Sequence, residues 1–183
     1  MSDSVEFDHV DVFTTGAVGA PGRRTFYLQA RLGDRVASVR CEKQQAAAIA
    51  QYLRRALAHL PIIEGGRFPE SMALTPPEDE PFTLGSVGLE FRKESDLFTL
   101  VLREFDPEAI DTDDDEDDAD EDDDLFGEDD EPLEGQSVRV SITRNQALAF
   151  CDQTDKIVAA GRPDCEYCKR PVDPDGHFCP RMN

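Results

Sequence analysis

Between Asp111 and Glu131 the chain carries 16 acidic residues and no basic one. No such segment can enter a hydrophobic core, because each buried carboxylate needs a cationic or hydrogen-bonding partner. Whatever folds must therefore be assembled from the residues on either side, with the acidic run looped out. Low hydrophobicity with dense like charge predicts a disordered, solvated insertion over about 107–135. The run lacks the spaced ligands and fixed glycine of a calcium loop. Its apolar interruption, Leu125-Phe126, is a candidate docking motif for a basic partner.

The run also explains the composition. Asp and Glu total 40 against 19 Lys and Arg, a net charge of −21. Without the run, 24 acids face 19 bases, a charge of −5, which is ordinary for a soluble domain. A chain this negative is repelled by nucleic-acid backbones and anionic membranes, so neither is expected as a partner. No stretch of about 18 apolar residues is present to span a membrane. The amino terminus, MSDSVEFDHV, lacks the basic and apolar regions of a signal peptide, which predicts a cytoplasmic protein. Five cysteines, an odd number with three at ligand spacing, argue against a disulfide framework.

Periodicity places the elements. Alternation over 5–15 predicts a first strand, followed by a flexible loop at GAVGAPG, Gly16 to Gly22. Spacing there fits a hairpin or bulge and not a phosphate loop, since a strand follows where a helix would be needed. TFYLQAR (25–31) and VASVRC (36–41) read as strands joined by a tight Gly33-Asp34 turn. Ala46, Ile49, Ala50, Leu53, Leu57 and Leu60 then recur at three and four, predicting an amphipathic helix of about 17 residues ending before Pro61. Residues 61–81 carry five prolines and form a connector, with a short turn near Ser71 to Leu74. PFTLGSVGLEFR, LFTLVLREF (97–105) and SVRVSIT (137–143) supply three more strands. Thr143-x-x-Gln146 is a capping box opening a second helix, whose inner face includes Phe150 and Cys151.

The two halves look alike. FTTGAVG (13–19) and FTLGSVG (82–88) share five of seven letters, and each helix opens on Gln-Ala, at Gln45-Ala46 and Gln146-Ala147. The pattern predicts an α+β domain, residues 1–163, with antiparallel sheet and two helices packed on one face. The repeat is either a duplicated βββα unit or an accidental similarity within one domain.

Residues 164–183 are a separate tail. Cys165, Cys168, His177 and Cys179 follow the pattern C-x2-C-x8-H-x-C on a frame of proline, glycine and aspartate. Three thiolates and one imidazole fill a tetrahedral zinc site and leave no open position, so the expected metal is structural and not catalytic. Cys41 and Cys151 read instead as buried free thiols, and His9 and His59 as ordinary surface or half-buried side chains.

The phrases GRRTFYLQAR, CEKQQAAAIAQYL, FTLGSVGLEF, VRVSITRNQALAF and AAGRPDCEYCKRPVDPDGHFCPRMN, in that order, resemble an uncharacterised actinobacterial domain-of-unknown-function family. The resemblance implies that the same C-x-x-C and H-x-C pairs ligate a metal, and it supplies no catalytic residue. It also implies a place beside a histidine-phosphatase-like and a kinase-like protein in a recurring gene trio, which hints at a protein partner.

Two functions follow. The first is a non-enzymatic zinc-binding adaptor that meets a protein partner through the tail or through Leu125-Phe126. The alternative is an enzyme, a hydrolase or transferase, with its site in a cleft between the two βββα halves. No Ser-His-Asp set, H-E-x-x-H helix or fixed carboxylate pair supports it. Nucleic-acid binding through Lys169, Arg170 and Arg181 is countered by Asp164, Glu166, Asp173 and Asp175 close by.

Overall fold

The computed structural model describes residues 4–20, 22–62, 65–77, 81–107, 135–160, 165–169, 172 and 179. The acidic run, with Leu125-Phe126, lies outside the described residues.

The chain is α+β, as its periodicity predicts. Strands β1 (Ser4–Phe7), β2 (Val12–Val18), β3 (Thr25–Leu32) and β4 (Arg35–Cys41) lead into helix α1 (Lys43–Ala58). Strands β5 (Leu84–Arg92), β6 (Leu97–Glu104) and β7 (Ser137–Thr143) lead into helix α2 (Arg144–Ala159). After β1, the order is three strands and a helix, twice. Each trio is an antiparallel meander, β2-β3-β4 in one sheet and β7-β6-β5 in the other. The two-residue Gly33-Asp34 turn joins β3 to β4, with Gly33 at φ 57 and its N–H donating to the Asp11 carboxylate at 2.8 Å.

Three expectations are corrected. The single strand expected over 5–15 is two strands in different sheets, because the chain bends between Phe7 and Val12 as it passes from one sheet to the other. The loop expected from Gly16 begins later: Gly16 to Val18 belong to β2, paired from Gly16–Tyr27 to Val18–Thr25. Gly16 is there for space. A Cβ on it would stand 2.7 Å from the Leu74 Cβ of the connector, closer than carbon atoms approach. The sheet is also not wholly antiparallel, since β1 adds to β7 in parallel.

Two parallel contacts stitch the two halves of the chain together, the first within the four-stranded sheet and the second between the sheets. One is β1 on β7; the other is the bridge between Arg40 of β4 and Thr83 just before β5. Helices α1 and α2 pack on each other, and α2 lies against β2, with the Phe13 and Phe150 rings stacked 4.9 Å apart. One continuous core results, with Phe13, Leu28, Ile49, Leu53, Phe98, Val140 and Phe150 fully buried. Strand β6 is buried from Phe98 to Arg103 on both faces, which is why LFTLVL is apolar at every position but Thr99.

The helix starts add a second stitching. Gln45 Oε1 accepts from the Glu42 N–H, while its amide donates to the Leu84 carbonyl of the other meander at 3.2 Å. Gln146 Oε1 accepts from the Thr143 N–H, while its amide donates to the Val10 carbonyl at 2.6 Å. Each glutamine thus caps its own helix and ties it to the opposite half. Thr143 completes its capping box by accepting from the Gln146 N–H.

The proline-rich connector lies over the outer face of the three-stranded sheet. The Gln29 amide bonds both the carbonyl and the N–H of Thr75, at 2.7 and 3.0 Å, and Thr14 donates to the Met72 carbonyl at 2.7 Å. These bonds satisfy side chains that are completely buried.

Candidate metal centre

Helix α2 ends at Ala159, and the Ala160 carbonyl beyond it accepts from Arg24 Nη1 at 2.7 Å. Arg24 stands just ahead of β3, so the end of α2 is held against the β2–β3 loop. The described part of the tail then begins at Cys165.

Cys165 to Lys169 form one turn, closed by the Lys169 N–H on the Cys165 carbonyl at 2.9 Å. Lys169 ends it at φ 59, in the left-handed region that reverses the chain after the second cysteine. The turn aims the backbone N–H groups of Cys168 and Tyr167 at the Cys165 sulfur. These donors, with the neighbouring thiols, hold the Cys165 thiol below its ordinary pKa and favour the thiolate.

The structure brings three of the four expected ligands together. The sulfur atoms of Cys165, Cys168 and Cys179 all lie within 4.8 Å of one another, and Cys165 and Cys179 are 3.8 Å apart. Cys165 and Cys179 are buried and Cys168 is half-buried. His177, the fourth expected ligand, lies outside the described residues. The set is suited to a metal ion: the edge of a tetrahedron with zinc–sulfur bonds of about 2.3 Å is about 3.8 Å. Three soft thiolates select zinc or another thiophilic ion over magnesium or calcium.

The other cysteines are where their periodicity puts them. Cys41 ends β4 and is buried, which pushes its thiol up to about 12. Cys151 faces the core from α2, donates to the Ala50 carbonyl at 3.3 Å, and is pushed up to about 11, chiefly by burial. Both are poor nucleophiles and poor ligands. His9 and His59 are exposed.

A separate cavity of about 800 Å³ opens between the two meanders, walled by Val10 to Val12, Arg31, the connector and the start of α2. Several of its ionic groups are engaged within the fold, while Arg67 and Glu70 line it as exposed side chains. Arg144 pairs with Asp96 and donates to the Pro61 carbonyl, Asp11 caps the Gly33 turn, and Arg31 holds Ser71 and Thr75. The sequence reading missed this network. Asp96, at φ 58 in a polar turn, was its one visible sign. Lys169 was missed as well, though its place directly after a C-x-x-C marks where such a turn must reverse.

Among the described residues no helix is long and apolar enough to cross a membrane. Compared with known proteins, the chain matches one family over residues 5–179, described as Protein of unknown function (DUF3090). No curated protein and no solved structure matches it.

Proposed function

The chain belongs to the DUF3090 family, whose function is unknown, and from that premise we propose that it is a non-enzymatic module whose zinc-stapled tail meets a protein partner. One observation carries the metal half of this reading: the 3.8 Å separation of the Cys165 and Cys179 sulfurs, with Cys168 beside them, which matches a shared tetrahedral ion. His177 is the fourth ligand by its place in the sequence. Three thiolates and an imidazole close the site, so the metal orders the tail and does no chemistry. Protein purified from zinc-replete medium should carry about one zinc per chain; metal-free protein with reduced thiols would end the reading.

The partner half rests on what the turn displays. Tyr167 sits between the first two ligands and is 54% exposed, an aromatic ring on a rigid turn. Pull-down from the native host should recover a protein partner that Tyr167→Ala releases. An empty native pull-down would count against the adaptor. A reducing cytoplasmic setting suits free thiolates of this kind.

The unit boundaries belong to the same proposal. Residues 1–163 form the α+β body and 164–183 the zinc tail. We also read the two strand–strand–strand–helix runs as copies of one unit. The reciprocal Gln45 and Gln146 bonds and the two parallel stitches support this. The enzyme alternative keeps one observation in its favour, the cavity between the halves. It ranks second because Arg144, Asp96, Asp11 and Arg31 there serve as structural struts and no catalytic set stands beside them.

A further inference from the structure

We infer that the tail is a peroxide-sensitive clasp, in which oxidation of Cys165 and Cys168 to a disulfide expels the zinc. The inference rests on the zinc reading above and adds its regulation.

Accessibility ranks the five thiols. Cys41, Cys151, Cys165 and Cys179 are buried, while Cys168 is half-exposed and is the sulfur that a dissolved oxidant reaches first. A resolving thiol already touches it. The Cys165 sulfur is in hydrogen-bond contact with both Cys168 and Cys179, so it stands at the centre of the cluster. The body's two cysteines have no comparable arrangement with the tail and are protected by burial, with thiols pushed up to about 12 and about 11.

The chemistry balances with hydrogen peroxide as the oxidant. The Cys168 sulfur attacks one peroxide oxygen; the S–O bond forms, the O–O bond breaks, and the departing hydroxide takes a proton to become water. The resulting sulfenic acid is attacked by the Cys165 sulfur. The S–S bond forms, the S–O bond breaks, and the second oxygen leaves as water after taking a proton. In sum, two thiolates, one peroxide and two protons give one disulfide and two waters. An ion held by this cluster would lose two thiolate ligands, since a disulfide sulfur would be too weak a donor to keep it.

The test uses full-length, zinc-loaded protein titrated with hydrogen peroxide in the presence of a colorimetric zinc indicator. Released zinc is compared with peptide mapping of every cysteine. The expected result is about one zinc released per chain in step with the loss of two thiols. Cys165 and Cys168 should be found in a disulfide, and Cys41 and Cys151 should remain reduced. Dithiothreitol with added zinc should restore the starting state. Zinc retained at peroxide levels that already oxidise methionine would overturn the inference. So would release accompanied only by sulfinic or sulfonic acid, or oxidation beginning at Cys41 or Cys151. Protein that carries no zinc before peroxide is added fails differently: it removes the metal reading itself.

Discussion

In the folded body, Cys41 and Cys151 are small apolar side chains among Ile49, Leu53 and Phe150, and their thiols are held protonated by burial. In the tail, Cys165, Cys168 and Cys179 are gathered on a turn whose backbone N–H groups favour the thiolate. The same amino acid is thus core filler in one region and candidate metal ligand in the other. What differs is the supply of apolar neighbours. The body stacks two meanders and two helices around one core, whereas the tail, rich in proline and aspartate, has too few apolar residues to bury. On the zinc reading proposed above, the tail depends on bonds to an ion, and the body on area removed from water.

That contrast can be broken experimentally. Removing the metal with a strong chelator should have the largest effect: structural zinc sites of this kind contribute about 10–16 kcal/mol of apparent binding energy. Amide exchange should rise across residues 165–183 while the body keeps its thermal transition. A body that melts together with the tail would show that the two regions are one cooperative unit. Phe150→Ala should do the converse. It removes the ring stacked on Phe13 and should cost about 3–5 kcal/mol in denaturant unfolding. Zinc stoichiometry at low temperature should stay unchanged.

Gln146→Ala tests the stitching between halves. It deletes a helix cap and a buried bond to Val10, and about 2 kcal/mol is the expected loss. Gln45→Ala should act in the same direction, and more weakly, because its bond to Leu84 is longer and less buried. Equal and negligible effects would argue that the two glutamines are incidental.

The smallest effect near neutrality is the alkaline one. Cys41 and Cys151 have folded pKa values raised above the ordinary 9.0. Below pH 9 both folded and unfolded thiols are protonated, and their contribution is fully present. Above it the unfolded chain ionises first, so stability should fall by at most about 1.4 kcal/mol per pH unit for each thiol until the folded values are reached. Unfolding midpoints measured from pH 8 to 11 should show this slope, and the Cys41→Ala, Cys151→Ala double variant should flatten it.

Much of the body was legible because its signals are local. The Thr143–Gln146 capping box, the Gly33-Asp34 turn and the alternation of Val138, Val140 and Ile142 each depend on residues within a few positions of one another. Gln45 was visible only as part of a shared phrase and Gln146 also as a cap; that each reaches across to the opposite half required the packed structure. Gly16 misled for the same reason. A glycine in a run of glycines reads as a loop, and nothing nearby in sequence announces Leu74, which lies 58 residues away and presses on it.

The acidic run returns in this light. Its charge alone determined that the fold is assembled from two flanking parts, because carboxylates at that density cannot be desolvated together. The spacing of the tail cysteines likewise marked them as a candidate metal-ligand set. Only the tertiary structure decided that β1 crosses to lie parallel on β7, that the two meanders close around one core, and that Cys179 returns to within 3.8 Å of Cys165. Those contacts join residues distant along the chain, and their geometry is set by packing, which periodicity and spacing do not encode.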